Sequence, residues 1–284
     1  MQKITIKDEN FPELLKKIPN PPQQLYFEGT LNKTEKYPLA VVGTRKVSSY
    51  GKQVTEYFIK TLAQSGLTII SGLALGIDGL AHQTTLDVGG RTIAVLGSGF
   101  NNIFPTVHKK LFQKIIESGG AVISEYPPET PAYKGNFPAR NRIISGLSIG
   151  VLVIEAPKKS GALITAEQAI KQKRKVFVVP GRIYDRNSAG TNQLIKQGVQ
   201  AVTNPQDILK SLKIKSSFAK KQRINNLSEQ EKLLLKFLSE NPIHIDELTK
   251  KTKMKTNEII SCLTIMEING VIKDMGGGKY VKLT

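Results

Sequence analysis

Tryptophan is absent from the 284 residues, cysteine occurs once, and acidic side chains fall far short of basic ones. Each shortage excludes something. The single thiol, Cys262, has no C-x-x-C or Cys/His partner, so it reads as a small buried hydrophobe rather than a nucleophile or metal ligand. A chain of this length buries enough core to need no disulfide or metal staple. The first residues, MQKITIKDENF, lack the apolar region of a signal segment, and no apolar run is long enough to span a membrane. A reducing, cytoplasmic setting is expected. Aromatic residues make up only 6% of the chain, so any stacking platform must be sparse.

What the sequence has in excess is positive charge: 41 Lys and Arg against 23 Asp and Glu, a formal net charge of +18. Such an imbalance favours a polyanionic partner, most often nucleic acid. The last segment, 227–284, carries nine lysines against eight acids, and 211–226 carries five basic residues with no acid. Most of the excess therefore belongs to residues 1–210.

From residue 39 onward, short apolar runs alternate with helical patterns. LAVVG (39–43), LTIIS (67–71), TIAVLG (92–97), AVIS (121–124), GVLVIEA (150–156) and KVFVVPG (175–181) are continuous rather than alternating, as suits strands buried on both faces. The βαβ rhythm predicts an α/β fold, a Rossmann-like, doubly wound, mostly parallel sheet over 39–210. Residues 1–38, with the Pro-rich IPNPPQQLYFEG, are expected as a preface packed on that core. Segment 211–226 reads as a basic linker. In 227–284 a capping box at Ser228 and Glu231 opens one helix, DELTKKT forms a second, and Thr256 opens a third. Ile259, Ile260, Leu263 and Met266 are expected on the inner face of that third helix. VIKDM-GGG-KYVKL reads as a hairpin. The set predicts a small C-terminal winged helix, a module that contacts duplex DNA through its third helix or docks protein.

Ligands of such sheets sit at the carboxyl ends of the strands, where several loops carry glycine. Gly43-Thr44-Arg45 follows the first of these strands: Gly43 admits an anion to backbone amides, the next helix offers its positive end, and Arg45 adds a bidentate phosphate donor. SGLALGIDGLAHQ supplies Ser71, Gly72, Gly76, Asp78 and His82. Asp78 and His82 lie one helical turn apart, which suits acid/base or metal chemistry, but a hydrogen-bonded pair ordering the loop is the commoner outcome. GSGFNNIFP places Gly97 and Gly99 in a third loop able to admit an anion. Asn102 stands where a dinucleotide fingerprint needs its third glycine.

KGNFPARNRIISGLS (134–148) gathers Lys134, Arg140 and Arg142 around Phe137 immediately before a buried strand. With Pro138 in the first turn, ARNRIISGL is expected as a short helix, with Phe137 just outside it and the two arginines near its start. A phosphate there would feel dipole and guanidinium together. Phe137 could stack a base and Lys134 reach the next phosphate; alternatively, the arginines pair with acids such as Glu125 or Glu155. The loop KKSGALITAEQA repeats the pattern with Lys158, Lys159, Ser160 and Gly161 ahead of a helix. Arg45, Lys134, Arg140, Arg142, Lys158 and Lys159 thus come from loops at one sheet edge. A basic groove is expected, with no catalytic or metal set beside it and no cofactor.

GTRKVSSYG, SGLALGIDGLAH, GSGFNNIFP, NFPARNRIISGLS, KKSGALITAEQAIKQKRKVFVVPG and GTNQLIKQG occur in this order. With NPPQQLYFEGTL they cover roughly residues 11–203, and together they resemble the DNA processing protein A (DprA/Smf) family. The resemblance implies a homodimer that binds single-stranded DNA in a basic pocket and loads RecA recombinase onto it in natural transformation. It puts the DNA pocket on Gly43, Thr44, Arg45, Lys134, Phe137, Arg140 and Asn141. Thr44 replaces the family's usual Ser and keeps the hydroxyl; Phe104 replaces its usual Tyr and loses one. The family's N-terminal helix-hairpin or sterile-alpha-motif-like module has no expected counterpart here. Two other readings compete. A nucleotide phosphoribohydrolase would use Thr165 and Glu167, although KSGALITAE lacks the paired glycines of that enzyme group. A winged-helix regulator would bind duplex DNA through residues 211–284.

Overall fold

The computed structural model describes residues 1–214, 227–239, 241–268 and 271–282. It divides into two compact units, Met1–Lys215 and Ser216–Thr284. Of the basic segment 211–226, residues 215–226 lie outside the described residues.

In the first unit all six expected strands form. They are β3 (Leu39–Val42), β4 (Ile69–Ser71), β5 (Thr92–Leu96), β6 (Ala121–Ser124), β7 (Gly150–Val153) and β8 (Lys175–Val178), with β9 (Gln200–Ala201) beyond. Residues 1–38 go further than covering the core. They contribute β1 (Gln2–Thr5) and β2 (Gln24–Gly29), which extend the sheet antiparallel along β6. The nine-stranded order is β1-β2-β6-β5-β4-β3-β7-β8-β9, with every pairing from β6 to β9 parallel.

Helices cover both faces: α1 (Glu13–Lys16), α2 (Ser49–Gln64), α3 (Ile77–Asp87), α4 (Lys109–Glu117), α5 (Asn136–Gly146), α6 (Gly161–Lys171), α7 (Ala189–Lys196) and α8 (Pro205–Ser211). The two-residue period of a strand divides the burial between them. In β3, Ala40 and Val42 pack with Ile143, Ile144 and Ala166 from α5 and α6. Leu39 and Val41 pack with Phe58, Ile59 and Leu62 of α2 on the other side. Strands buried on both faces have no solvent side to mark with polar residues, which is why these runs read as continuous. The chain leaves β3 toward β4 and later leaves β7 toward β8, so strand order reverses between β3 and β7. The loops after those two strands diverge there and open a crevice.

The second unit contains α9 (Glu229–Phe237), β10 (Ile243–His244), α10 (Ile245–Thr252), α11 (Thr256–Ile268), β11 (Ile272–Asp274) and β12 (Lys279–Lys282), with sheet order β10-β12-β11. It is a winged helix. Ser228 Oγ accepts from Glu231 N at 3.2 Å and Glu231 Oε2 accepts from Ser228 N at 2.7 Å, the expected capping box. One face assignment is corrected. Ile260 is 49% exposed, while Cys262 is buried with Ile259, Leu263 and Met266. Ile260 follows Ile259 by 100° of helical rotation and so turns outward, whereas Cys262 returns to the inner face.

Phe177 is fully buried at the centre of β8, against Gly150 of β7. Phe177→Ala is expected to cost about 3–5 kcal/mol, read from urea unfolding. A loss under about 1 kcal/mol would mean that the two faces repack without it.

Candidate functional site

The crevice between the β3 and β7 loops deepens into a cleft of ≈ 720 Å³ with Val42, Ile144, Ala162 and Thr165 among its lining residues. All ten residues expected at a DNA pocket line it. Gly43, Thr44 and Arg45 come from the β3–α2 loop; Lys134, Phe137, Arg140 and Asn141 come from the approach to α5 and its first turns; Lys159, Ser160 and Gly161 come from the β7–α6 loop. No single segment could supply this set, and the reversal in strand order brings the three together.

The start of α5 differs from expectation. The helix begins at Asn136, so Phe137 is its second residue and Arg140 its fifth. Arg140 points inward, 4% exposed, where its guanidinium donates to Gly72 O at 2.8 Å and to Val95 O, beyond β4 and within β5. Gly72 must be glycine here, because a Cβ would collide with that guanidinium and lie 2.7 Å from Asp78 Oδ2. Asp78 Oδ2 in turn accepts from Gly72 N at 3.1 Å. Burial pushes Arg140 down to about 10 and Arg45 adds to this, while Asp78 opposes it. Burial raises the Asp78 carboxyl against the pull of Arg140. Arg140 is thus a buried strut and not the groove cation expected at the start of the helix. Arg142 forms a bidentate pair with Glu125 at 2.6 and 2.8 Å and donates from Nε to Asn20 O at 3.0 Å. It ties α5 to the N-terminal segment and does not line the cleft.

The cleft-lining cations that face outward are Arg45, Lys134 and Lys159, all exposed; Lys158, expected with them, is exposed but does not line the cleft. Among the described residues, none has a carboxylate within ion-pair distance. The Arg45 guanidinium lies over the Phe137 ring at 5.5 Å. Phe104, 47% exposed, stands beside Phe137 with ring centroids 5.7 Å apart. Phe137 rests on Gly97, where a Cβ would lie 2.7 Å from the ring. Phe104 was legible only as a departure from a family pattern; its place in a second aromatic layer depends on the 97–105 loop reaching α5.

The anion-binding potential of the loops is unequal. At α2 the protein supplies its own anion. Ser48 caps the helix, and buried Glu155 accepts from Ser48 N at 3.1 Å and from Ser48 Oγ. The expectation that this helix end faces a bound phosphate is therefore corrected. At α6, Ser160 accepts from Ala162 N at 3.3 Å, the first turn carries no acid, and Gly161 is exposed on the cleft. Asn141 Nδ2 donates to Gly161 O at 3.2 Å, fixing that end against α5. The third glycine loop is also corrected: Gly97 and Gly99 are buried, and the Gly99 amide donates to Thr130 O at 2.8 Å rather than facing an anion.

The 71–83 segment serves as framework. Ser71 Oγ donates to Val41 O at 2.6 Å, Gly76 stands at the N-cap of α3, and fully buried His82 shares a 2.7 Å hydrogen bond from Nδ1 with Thr92. Asp78 and His82 share no hydrogen bond among those described. Asp78 turns to Gly72 and His82 to Thr92, so the expected mutual pair is replaced by two separate ones. No metal-ligand cluster of three or more His, Cys, Asp or Glu occurs among the described residues. No described helix is long and apolar enough to cross a membrane.

The sequence matches the family model for DNA recombination-mediator protein A over residues 2–213 and that for the DprA winged helix domain over 218–278. It is 40% identical to Protein Smf of Escherichia coli (strain K12) over 288 residues, covering 99% of this chain and 77% of that one. It is 42% identical to DNA processing protein DprA of Bacillus subtilis (strain 168), covering 74% and 70%. Among solved structures, DprA of Streptococcus pneumoniae superposes with TM-score 0.68 at 42% identity, over 74% of this chain and 73% of that one. A Helicobacter pylori DprA structure, which concerns that protein's single-stranded DNA binding mode, superposes with TM-score 0.66 at 33% identity, over 74% and 95%.

The framework has a pH signature. Burial, with His108 and Arg140 nearby, pushes His82 from 6.5 to about 3. Between these values the unfolded chain holds a proton that the folded chain refuses. The stability from His82 is therefore complete above pH 6.5 and lost as pH falls toward 3. From pH 7.5 to 5, wild type should lose about 2 kcal/mol more unfolding free energy than His82→Gln. An identical pH dependence in the two proteins would contradict a neutral buried imidazole.

Proposed function

This chain belongs to the DNA recombination-mediator protein A family, and we propose on that premise that its cleft holds single-stranded DNA. The observation that carries the reading is the convergence of Arg45, Lys134 and Lys159 from three separate segments around the half-buried ring of Phe137. Exposed cations without ion pairs among the described residues attract phosphates, and an accessible ring accepts any base face. A duplex hides its base faces in the stack, so a platform set inside a cleft favours a strand whose bases are free. The cleft's apolar lining, Val42, Ile144 and Ala162, suits bases, while the rim suits the backbone.

We further infer that the protein acts as a homodimer, protects the strand and passes it to RecA recombinase during transformation or homologous recombination. Family membership and the resemblance of the ordered motifs support this; the Helicobacter pylori relative supports the single-strand part of it alone. The reading is of a binding site rather than a reaction centre. Asp78 is the one acid lining the cleft among the described residues, and its carboxylate is engaged by Gly72. Glu167, which nucleotide hydrolysis would need, is exposed on α6 and does not line the cleft. In the winged helix, α11 contains no lysine or arginine and exposes Ile260 and Ile265. This favours contact with protein over contact with duplex DNA.

Binding of labelled oligo-dT over a salt series tests the cleft. Arg45→Ala and Lys134→Ala should each weaken binding and reduce the salt slope by about 0.7, the value for one phosphate on a single strand. Phe137→Ala should cost about 1–3 kcal/mol with the slope nearly unchanged, because stacking releases few counterions. Unchanged affinity in both cation variants would remove the pocket from consideration.

A further inference from the structure

The loop between β8 and α7 carries a feature that the cleft does not use. Residues Arg182-Ile183-Tyr184-Asp185 form a tight turn closed by Asp185 N donating to Arg182 O at 3.1 Å. The two residues at its tip are the most exposed of the large hydrophobic side chains described: Ile183 at 79% and Tyr184 at 94%. Arg182 and Arg186 flank them, both exposed, and Asp185 is the one acid of the segment, leaving an excess of one positive charge. An aromatic ring held out of the core, with an arginine two positions before it and another two positions after it in sequence, contributes nothing evident to folding. It matches the chemistry of a strand with alternating bases and phosphates.

The segment is fastened to residues next in sequence to both walls of the cleft, beside Arg45 and Pro157. Asn187 O accepts from Ala156 N at 2.7 Å, and Asn187 Nδ2 donates to Lys46 O at 2.8 Å and to Glu155 Oε2 at 3.4 Å. Tyr50 adds a hydrogen bond from its hydroxyl to Pro180 O at 2.7 Å. Arg182 to Arg186 therefore stand beside the Arg45–Lys46 end of the cleft, on the side of the switch point toward β8.

We propose that Arg182–Arg186 is a second contact for single-stranded DNA, in which Tyr184 stacks on a base and Arg182 and Arg186 take the phosphates beside it. This site continues the path of the strand out of the cleft and rests on the reading of the cleft as a single-strand site. It predicts a contact that depends on strand length. An oligonucleotide filling only the cleft would not reach Tyr184; a longer one would.

The test uses the full chain and fluorescently labelled oligo-dT of two lengths, about 6 and about 20 nucleotides, one near the short end of common single-strand site sizes and one beyond their long end. Tyr184→Ala should weaken the long strand about tenfold, leave the short strand unaffected, and be rescued by Tyr184→Phe. The Arg182→Gln/Arg186→Gln double variant should lower the salt slope for the long strand by about 1.4, two phosphates' worth. Tyr184→Ala binding the long strand as wild type does, as it would if the tip docked a protein instead, overturns the proposal. An equal loss on both lengths does so as well. Arg45→Ala separates this result from the cleft reading, since it should weaken both lengths. Photocrosslinking with 5-iodouracil strands, followed by peptide mapping, reads the tip on its own: a crosslink at Tyr184 is expected, and its absence overturns the site even where the cleft holds.

Discussion

Arg140 buries its guanidinium at the carboxyl ends of two parallel strands, donating to the carbonyls of Gly72 and Val95. A buried cation is costly unless its donors are satisfied and a counter-charge is near. The strand-end carbonyls meet the first need and the Asp78 carboxylate, across Gly72, meets the second. The consequence reaches outward through α5. Because Arg140 is anchored, the helix start is fixed over the sheet, with Phe137 against Gly97 and Asn141 against the opening of α6. The aromatic ring of the cleft and the start of α6 that lines it both hang from one buried side chain.

The charges of the molecule divide accordingly. Arg140 and Arg142 work inside, one on carbonyls and one on Glu125, and are already neutralised or shielded. Glu155 works inside as well, occupying the positive end of α2 through Ser48. With that helix end filled, the starts of α5 and α6, neither with an acid in its first turn, are the helix ends that line the cleft. The outward cations Arg45, Lys134 and Lys159 remain exposed around them. A groove lined this way is pre-organised: no internal ion pair need break before a phosphate enters.

Much of this was legible in the sequence. Continuous β-branched runs marked the parallel strands, and loops with glycine and a cation marked the residues that meet at the switch point. Several features were not, for identifiable reasons. Pro138 marks a first turn and Gly135, the actual N-cap, offers no capping side chain, so the sequence alone places the start of α5 three residues late, at Ala139. Arg140 looked like a groove cation because a sequence does not show that Gly72 leaves room for a guanidinium 68 positions away. Gly97 and Gly99 resembled an anion loop but serve close packing against Phe137 and residues 127–130. The antiparallel β1 and β2 were hidden in a Pro-rich preface, where residues distant in sequence decide the pairing. Asn187, which joins residues next in sequence to both walls of the cleft, carries no local motif at all.

The central claim is that a single strand lies in the cleft with its phosphates toward the outward cations and a base on Phe137. A crystal structure of the full chain with a short oligo-dT tests it most directly. The account predicts a thymine ring on the Phe137 face beside Phe104, with phosphates near Arg45, Lys134 and the start of α6. A strand bound elsewhere on the molecule, leaving Phe137 and these cations without contact, would contradict it.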